Sequence, residues 1–379
     1  MPDPANTPRT PAPATATART TTADGEPLVE ARGVTKTFRV PRSASGSTRL
    51  HALAGVDLTV RRGRTLGLVG ESGCGKSTLA RVLLMLERPD AGTVRYAGAD
   101  PFALRGEPLL RWRRRVQMVF QDPFASLNPR LSAGELIAEP WRSHPGLISR
   151  DGRERRVREL LDMVGLRPGD AHRYPQEFSG GQRQRIGIAR ALALNPEVIV
   201  CDEPVSALDL SVQAQVLNVL TDVQAELGVA YVFISHDLPV VRHMSDQVAV
   251  MYLGRVVESG PAERVFTAPR HPYTASLLSA APRPPAAAAE GGRTGRIVLA
   301  GEVPSPADPP SGCRFRTRCW QAEEVCAEVL PPDAPVLAGS APAGPVSGGP
   351  APEEPVPDRP RHLVACHLPL EPADRAAGR

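Results

Sequence analysis

An α/β fold follows from three features of the sequence. An apolar run at 65–69 leads into Gly70-Glu71-Ser72-Gly73-Cys74-Gly75-Lys76-Ser77-Thr78, and a run with helical spacing follows at 78–86. Strand, G-x-x-x-x-G-K-S and helix, in that order, is the phosphate-binding loop in the context that makes the pattern specific. Further apolar runs at 116–120, 198–203 and 230–234 alternate with helix-like stretches, as in parallel strands joined by crossover helices. Two shorter β-like runs, 28–34 and 56–60, come before the loop.

The loop carries the first functional inference. Its glycines let the backbone curl with N–H groups pointing inward around a phosphate, and the helix adds its positive N-terminal end. Lys76 is placed to reach the β- and γ-phosphates, and the Ser77 hydroxyl to ligate Mg²⁺. Lys36 and Lys76 are the only lysines among 45 basic residues. A chain that otherwise uses Arg has a compact point charge where one must fit inside a loop.

Composition limits the alternatives. A chain of 379 residues that is 41% hydrophobic can build a large core, while 41 prolines and 33 glycines imply long irregular segments. The net charge of +4 and the absence of a basic block argue against nucleic acid as a partner. The densest basic stretch, 111–115, is interrupted by Trp112 and reads as a solvated helix face. No apolar run approaches the roughly eighteen residues needed to span a bilayer. The N-terminus lacks the basic-then-apolar layout of a secretion signal. A soluble, cytoplasmic chain is expected, associated with membranes only through partners. Six cysteines in that setting argue for ligand or structural thiols rather than disulfides.

In chain order, residues 1–26 are Thr, Ala and Pro with few large apolar side chains, a composition that predicts a disordered tail. Phe38 lies between the first two β-like runs, either to stack on an adenine ring or to fill the core. Pro89-Asp90-Ala91-Gly92 predicts a turn. The strand at 116–120 ends at Gln121, a side chain able to hold Mg²⁺ or a water if it lies beside the loop. Residues 122–195 read as mainly helical. Within them, Ser179 is a good N-cap before Gly180, Gly181 and Gln182, a helix start suited to a second anion. One chain seldom needs two phosphate sites unless they meet, in cis or across a dimer. The strand 198–203 ends in Asp202 and Glu203, the first suited to Mg²⁺ and the second to polarising an attacking water. Val212, Val216, Leu220, Val223 and Leu227 form an i, i+4 stripe ended by Gly228. His236 follows the strand at 230–234, where it could meet a γ-phosphate; a lone His is more often structural.

These motifs, with the Ser206-Ala207-Leu208-Asp209 turn, stand in the order found in ATP-binding cassette (ABC) ATPases, and the chain resembles that family over residues 28 to about 260. The resemblance implies a P-loop NTPase core of RecA-like type with an antiparallel β subdomain and an α-helical subdomain. Residues 118–130 and 174–185 resemble oligopeptide and dipeptide importers in particular. His271-Pro272-Tyr273-Thr274 is similar to the start of that family's C-terminal region. Glu177-Phe178-Ser179-Gly180-Gly181 points to the F-type subunit rather than the D-type. By this likeness Phe38 stacks on adenine, residues 70–78 hold ATP with Mg²⁺, and Asp202 is the metal carboxylate. Gln121 senses the metal and couples to membrane subunits, Glu203 is the base and His236 the γ-phosphate switch. Residues 179–182 and Asp209 close over ATP bound by an opposite subunit. The implied partners are a second ATPase subunit (D-type, or a second copy), two permeases and an extracytoplasmic substrate-binding protein. The implied location is the cytoplasmic face of the cell membrane. Expected divisions are a tail at 1–26, an ATPase domain at 27–265 with its helical subdomain at 122–195, and a C-terminal region at 266–379.

That last region carries Cys313, Cys319, Cys326 and Cys366, spaced C-x5-C-x6-C-x39-C, which is neither a zinc ribbon nor a ferredoxin run. Four thiols can hold a [4Fe–4S] cluster or Zn²⁺, or stay free, and composition does not separate these. The resemblance implies the iron–sulfur cluster. A Pro/Ala/Gly-rich stretch, 331–360, is read as a disordered insert; loop closure costs grow only logarithmically, so it need not keep Cys366 from the others. Cys74 and Cys201 read as packing residues. Other readings are the same ATPase role for nickel, glutathione or sugar cargo, a soluble ABC protein of translation or repair, or a regulatory subunit with a silent site.

Overall fold

A computed structural model describes residues 27–42, 46–281, 296–336 and 361–371. The expected tail at 1–26 and residues 337–360 of the expected insert lie outside the described residues.

The larger sheet has eight strands among the described residues, and its core is parallel. Strands β3 (Thr65–Val69), β5 (Val116–Val119), β6 (Val198–Asp202), β7 (Ala230–Ile234) and β8 (Gln247–Tyr252) lie in the order β8-β3-β7-β6-β5. All four pairings among them are parallel. Strands β3 and β7 are buried at every position, because a parallel sheet is covered on both faces. Alternate residues serve two separate cores: Ile199, Cys201, Tyr231 and Phe233 face one, Val198, Val200, Val232 and Ile234 the other. Cys201 and Cys74 are buried, as packing residues should be.

A smaller antiparallel sheet is formed by β1 (Pro27–Arg42), β2 (Gly46–Arg61) and β4 (Ala91–Tyr96), in the order β2-β1-β4. The first two strands are much longer than the apolar runs that predict them, because partly exposed antiparallel strands need not be apolar. Lys36 sits here, paired with Glu87 at 3.3 Å and Asp90 at 3.7 Å, so the second lysine braces a turn and serves no phosphate.

Between β5 and β6 the chain is helical as expected, including α3 (Pro123–Ser126), α4 (Ala133–Ala138), α5 (Pro140–Ser143), α6 (Arg150–Met163) and α7 (Gly180–Leu192), while α1 (Lys76–Leu83) and α2 (Gly106–Arg115) come before β5. Helix α2 keeps Arg111 and Arg113 exposed, as the solvated-face reading of 111–115 has it, and turns Trp112 inward. Trp112 is 5% exposed, and Arg115 pairs with Glu197 and lies 4.6 Å over the Tyr96 ring. Helix α8 (Leu210–Leu227) ends at Gly228 in the left-handed conformation, as its stripe predicts. Leu227 is nevertheless 41% exposed, since it falls in the last turn beyond the sheet that Val216, Leu220 and Val223 cover.

The C-terminal region does not stand apart from this core. Antiparallel strand β9 (Arg255–Pro261) extends the large sheet, and β11 (Leu363–Val364) and β10 (Ala334–Pro335) add to its edge. The beginning of the stretch read as an insert therefore contributes a strand.

Candidate nucleotide site

Ligands of open parallel sheets bind beyond the carboxyl ends of the strands. Strand β3 ends there in residues 70–78, β5 in Gln121, β6 in Asp202 and Glu203, and β7 in Ser235 and His236. The four strands are adjacent, so chemistry dispersed from Gly70 to His236 converges on one edge.

The phosphate loop is held from several sides. Gly75 has φ +110, and a Cβ there would stand 2.4 Å from the Ala52 carbonyl oxygen, so only glycine lets the loop lie against β2. The Cys74 carbonyl accepts from Gly254 N–H at 2.8 Å. Lys76, 7% exposed, donates from Nζ to the carbonyls of Gly70 (2.7 Å) and Glu71 (3.0 Å). Its neighbours Ser72, Gly73 and Ser77 are exposed, and Thr78 is half-buried in the first turn of α1.

Three of the expected groups meet directly. Gln121 Nε2 donates to Glu203 Oε2 at 2.8 Å, and His236 Nδ1 lies 3.2 Å from Glu203 Oε1. Glu203 has φ +47, uncommon for a non-glycine residue, and its N–H donates to the Ile234 carbonyl at 2.9 Å. That bond to the neighbouring strand holds the turn that aims the carboxylate. Asp202 hydrogen-bonds the Ser77 hydroxyl. Burial pushes its carboxyl above the usual range, with the Ser77 bond opposing and the Glu203 charge adding. A hydroxyl and a desolvated carboxylate in contact, beside Gln121, are a fitting oxygen set for Mg²⁺, whose charge would stabilise the ionised carboxylate.

Residues 179–182 are not part of this edge. Ser179 Oγ accepts from Gln182 N–H at 3.3 Å, and Ser179 N–H donates to Gln182 Oε1 at 3.0 Å, a reciprocal cap on α7. Helix α7 packs on α3, α4, α6, α8 and β5, whereas α1 packs on β2, β6 and β7. Ser179 is exposed; Gly181 lies so close to α8 that a Cβ would meet Val212 Cγ1 at 2.1 Å. Asp209 caps α8, accepting from Val212 N–H at 3.0 Å and from Ser211 Oγ at 2.7 Å, bonds that lower its carboxyl pKa. Phe38 is half-buried on β1, with Lys36 Nζ 5.4 Å from its ring centroid.

Cys313, Cys319, Cys326 and Cys366 line a single cavity, with His271 and Phe315. Burial pushes the Cys313 thiol up, that of Cys319 to about 11 and that of Cys366 to about 12, and neighbouring thiols add to all three. His271 accepts Tyr273 N–H at Nδ1 (3.0 Å), so its proton resides on Nε2, which is buried without a partner. Burial holds this imidazole neutral, down to about 4. All-thiol donors fit a soft ligand. Among the described residues, however, no three His, Cys, Asp or Glu side chains are grouped to hold a single metal ion.

Sequence reasoning missed two residues that bear on the loop. Tyr273 Oη accepts Glu71 N–H at 2.9 Å, and Arg318 Nη1 donates to the Glu71 carboxylate at 2.9 and 3.1 Å. Tyr273 stands in the His271-Pro272-Tyr273-Thr274 run and Arg318 beside Cys319, but no local spacing ties either to Glu71.

Comparison with known proteins agrees with this geometry. Residues 53–206 match the ABC transporter family, and residues 257–326 match the oligopeptide/dipeptide transporter C-terminal region. The chain is 50% identical to the dipeptide transport ATP-binding protein DppF of Haemophilus influenzae, over 81% of this chain and 93% of that one. It is 47% identical to the oligopeptide transport ATP-binding protein AppF of Bacillus subtilis, over 92% and 99%. Among solved structures, the dimeric post-hydrolysis state of the ATP-binding cassette MJ0796 bound to ADP and Pi is similar, with a TM-score of 0.55 and 31% identity over 62% of this chain and 99% of that one. With the motifs at one sheet edge and relatives matched over nearly their full length, the chain belongs to the oligopeptide/dipeptide family of ABC transporter ATP-binding subunits.

Proposed function

We propose that this chain is the F-type ATP-hydrolysing subunit that powers peptide import. The observation that carries the reading is the Gln121–Glu203–His236 constellation beside the phosphate loop. Binding alone needs the loop; a carboxylate held by an amide and an imidazole is what orients and polarises an attacking water. Lys76 bears on the β- and γ-phosphates, Ser77, Asp202 and Gln121 hold Mg²⁺, and Phe38 stacks on adenine. Mg²⁺ supplies charge neutralisation for the departing phosphates. Residues 179–182, led by the exposed Ser179 at the start of a helix packed on other elements than α1, cover ATP on a second subunit, either a D-type ATPase or a copy of this chain. Asp209 lies at that junction.

Peptide cargo is supported by the names of the relatives and by the matching C-terminal region. Two permeases and an extracytoplasmic binding protein complete the assembly, which places the chain at the cytoplasmic face of the membrane. No helix among the described residues is long and apolar enough to cross a membrane. The four cysteines are read as ligands of a [4Fe–4S] cluster rather than of Zn²⁺. What supports this reading is that all four thiols line one cavity.

The test is transport. Assembled with two permeases and a binding protein in proteoliposomes that hold ATP on the ATPase side, the wild-type chain is expected to drive ATP-dependent uptake of a labelled peptide. Glu203→Gln should still bind ATP while hydrolysis falls at least about 10²-fold. Hydrolysis near the wild-type rate in that variant would sink the base assignment, and uptake of a sugar or metal in place of peptide would sink the cargo.

A further inference from the structure

Glu71 stands inside the phosphate loop, yet every polar group on it is engaged away from a phosphate. Its N–H donates to Tyr273 Oη at 2.9 Å, its carbonyl accepts Lys76 Nζ at 3.0 Å, and its carboxylate accepts Arg318 Nη1 at 2.9 and 3.1 Å. Two of these partners come from the C-terminal region, 202 and 247 positions away. The ion pair is sheltered, with side-chain exposures of 10% for Arg318 and 27% for Glu71. Arg318 also approaches the Tyr252 hydroxyl at 3.5 Å, and Arg314 bonds the Leu253 carbonyl, so the turn from Cys313 to Cys319 is seated against the loop.

A carboxylate in a loop that receives a polyanion repels it, and the repulsion is strongest where water is scarce. Arg318 cancels that charge and fixes the residue whose carbonyl Lys76 rests on. We infer that Arg318 is a positioning residue of the nucleotide site, through which the four-cysteine turn and the phosphate loop respond to each other. Coupling of this kind is reciprocal: if the turn tunes nucleotide affinity, nucleotide alters the state of the turn. The inference rests on the loop being the triphosphate site.

The experiment uses the full chain. MgATP affinity is measured by equilibrium titration for wild type, Arg318→Ala, Arg318→Lys, Glu71→Gln and the double variant Arg318→Ala/Glu71→Gln. Arg318→Ala is expected to weaken binding about tenfold, within the usual range of coupling between sites. Glu71→Gln should weaken it less, because the charge then left unpaired is the Arg318 cation, which attracts a polyanion rather than repelling it. The double variant should bind better than Arg318→Ala alone, a non-additivity that two independent losses do not give. Arg318→Lys, keeping the charge, should recover most of the affinity. In metal-stripped protein, saturating MgATP is expected to change the alkylation rate of Cys319, followed by peptide mass spectrometry, in wild type but not in Arg318→Ala. Additive losses, Arg318→Ala affinity equal to wild type, or Cys319 labelling indifferent to nucleotide would each overturn the inference. Should Arg318→Ala fail to fold, Arg318→Lys and Glu71→Gln still decide, since a larger loss in Lys than in Gln contradicts it. Failure of the wild-type chain to bind MgATP would instead remove the reading of the loop itself.

Discussion

Asp202 illustrates what the site costs the fold. Its carboxyl is raised chiefly by burial, with the adjacent Glu203 charge adding to it. A raised pKa means that the folded chain holds a proton the unfolded chain has released. The stability cost of ionising Asp202 therefore appears as pH rises above the normal carboxylate value and grows until the folded pKa is passed. Asp202→Asn is expected to raise the Tm of nucleotide-free protein by a few degrees at pH 8 and by less toward pH 4, while Mg²⁺-dependent hydrolysis is lost. Thermal melts at the two pH values check the sign; an equal or lower Tm at pH 8 would refute it. Glu203 differs in kind, for its positive φ is held by one backbone bond to β7. That a carboxylate ends the strand is legible in the sequence. That the same residue leaves the strand through the left-handed region is not, because glutamate has no preference for that region.

At the scale of elements, the helix start at Ser179 was legible as an N-cap, and the reciprocal cap with Gln182 is the device expected of that spacing. What the spacing does not convey is why Gly181 has no side chain. The backbone there approaches α8 so closely that a Cβ would overlap Val212 Cγ1. Gly181→Ala is therefore expected to push α7 from α8 and to destabilise the chain by about 1–3 kcal/mol, the usual range for overpacking. Chemical denaturation measures this. Val212→Ala in the same chain should restore most of the loss, and no rescue would assign the effect to nucleotide contacts instead. In the run at 111–115 the exposed face of Arg111 and Arg113 was legible, whereas the burial of Trp112 and the Arg115–Glu197 pair was not, because their partners lie elsewhere in the chain.

For the molecule as a whole, the C-terminal region is built into the ATPase core. Tyr252, Tyr273 and Phe315 form an aromatic group with centroids 4.7–5.4 Å apart, drawn from β8, from the helix Pro272–Ala280 and from the cysteine turn. Glu258, fully buried on β9, accepts from the N–H groups of Arg270 and His271 and pairs with His362 Nε2 at 2.7 Å. Phe315→Ala, at a side chain 1% exposed, is expected to cost about 3–5 kcal/mol, and to weaken MgATP binding as well, because the same group backs Arg318 and Tyr273. Denaturant unfolding paired with nucleotide titration separates the two effects. A stability loss without any change in affinity would show that the region is a passive cover.

By itself the sequence determined the parts that depend on local spacing: the phosphate loop after its strand, the acidic end of β6, the polar ends of β5 and β7, and the cap of α7. Such features repeat with the period of the backbone or with a turn, so neighbouring residues carry them. Only the tertiary structure decided that Gln121 and His236 both reach Glu203, that the four cysteines share one cavity, and that Arg318 and Tyr273 grip Glu71. The contacts to Glu203 and Glu71 join residues 33 to 247 positions apart. No periodicity links such positions; strand order in the sheet and the return of the chain along its edge bring them together.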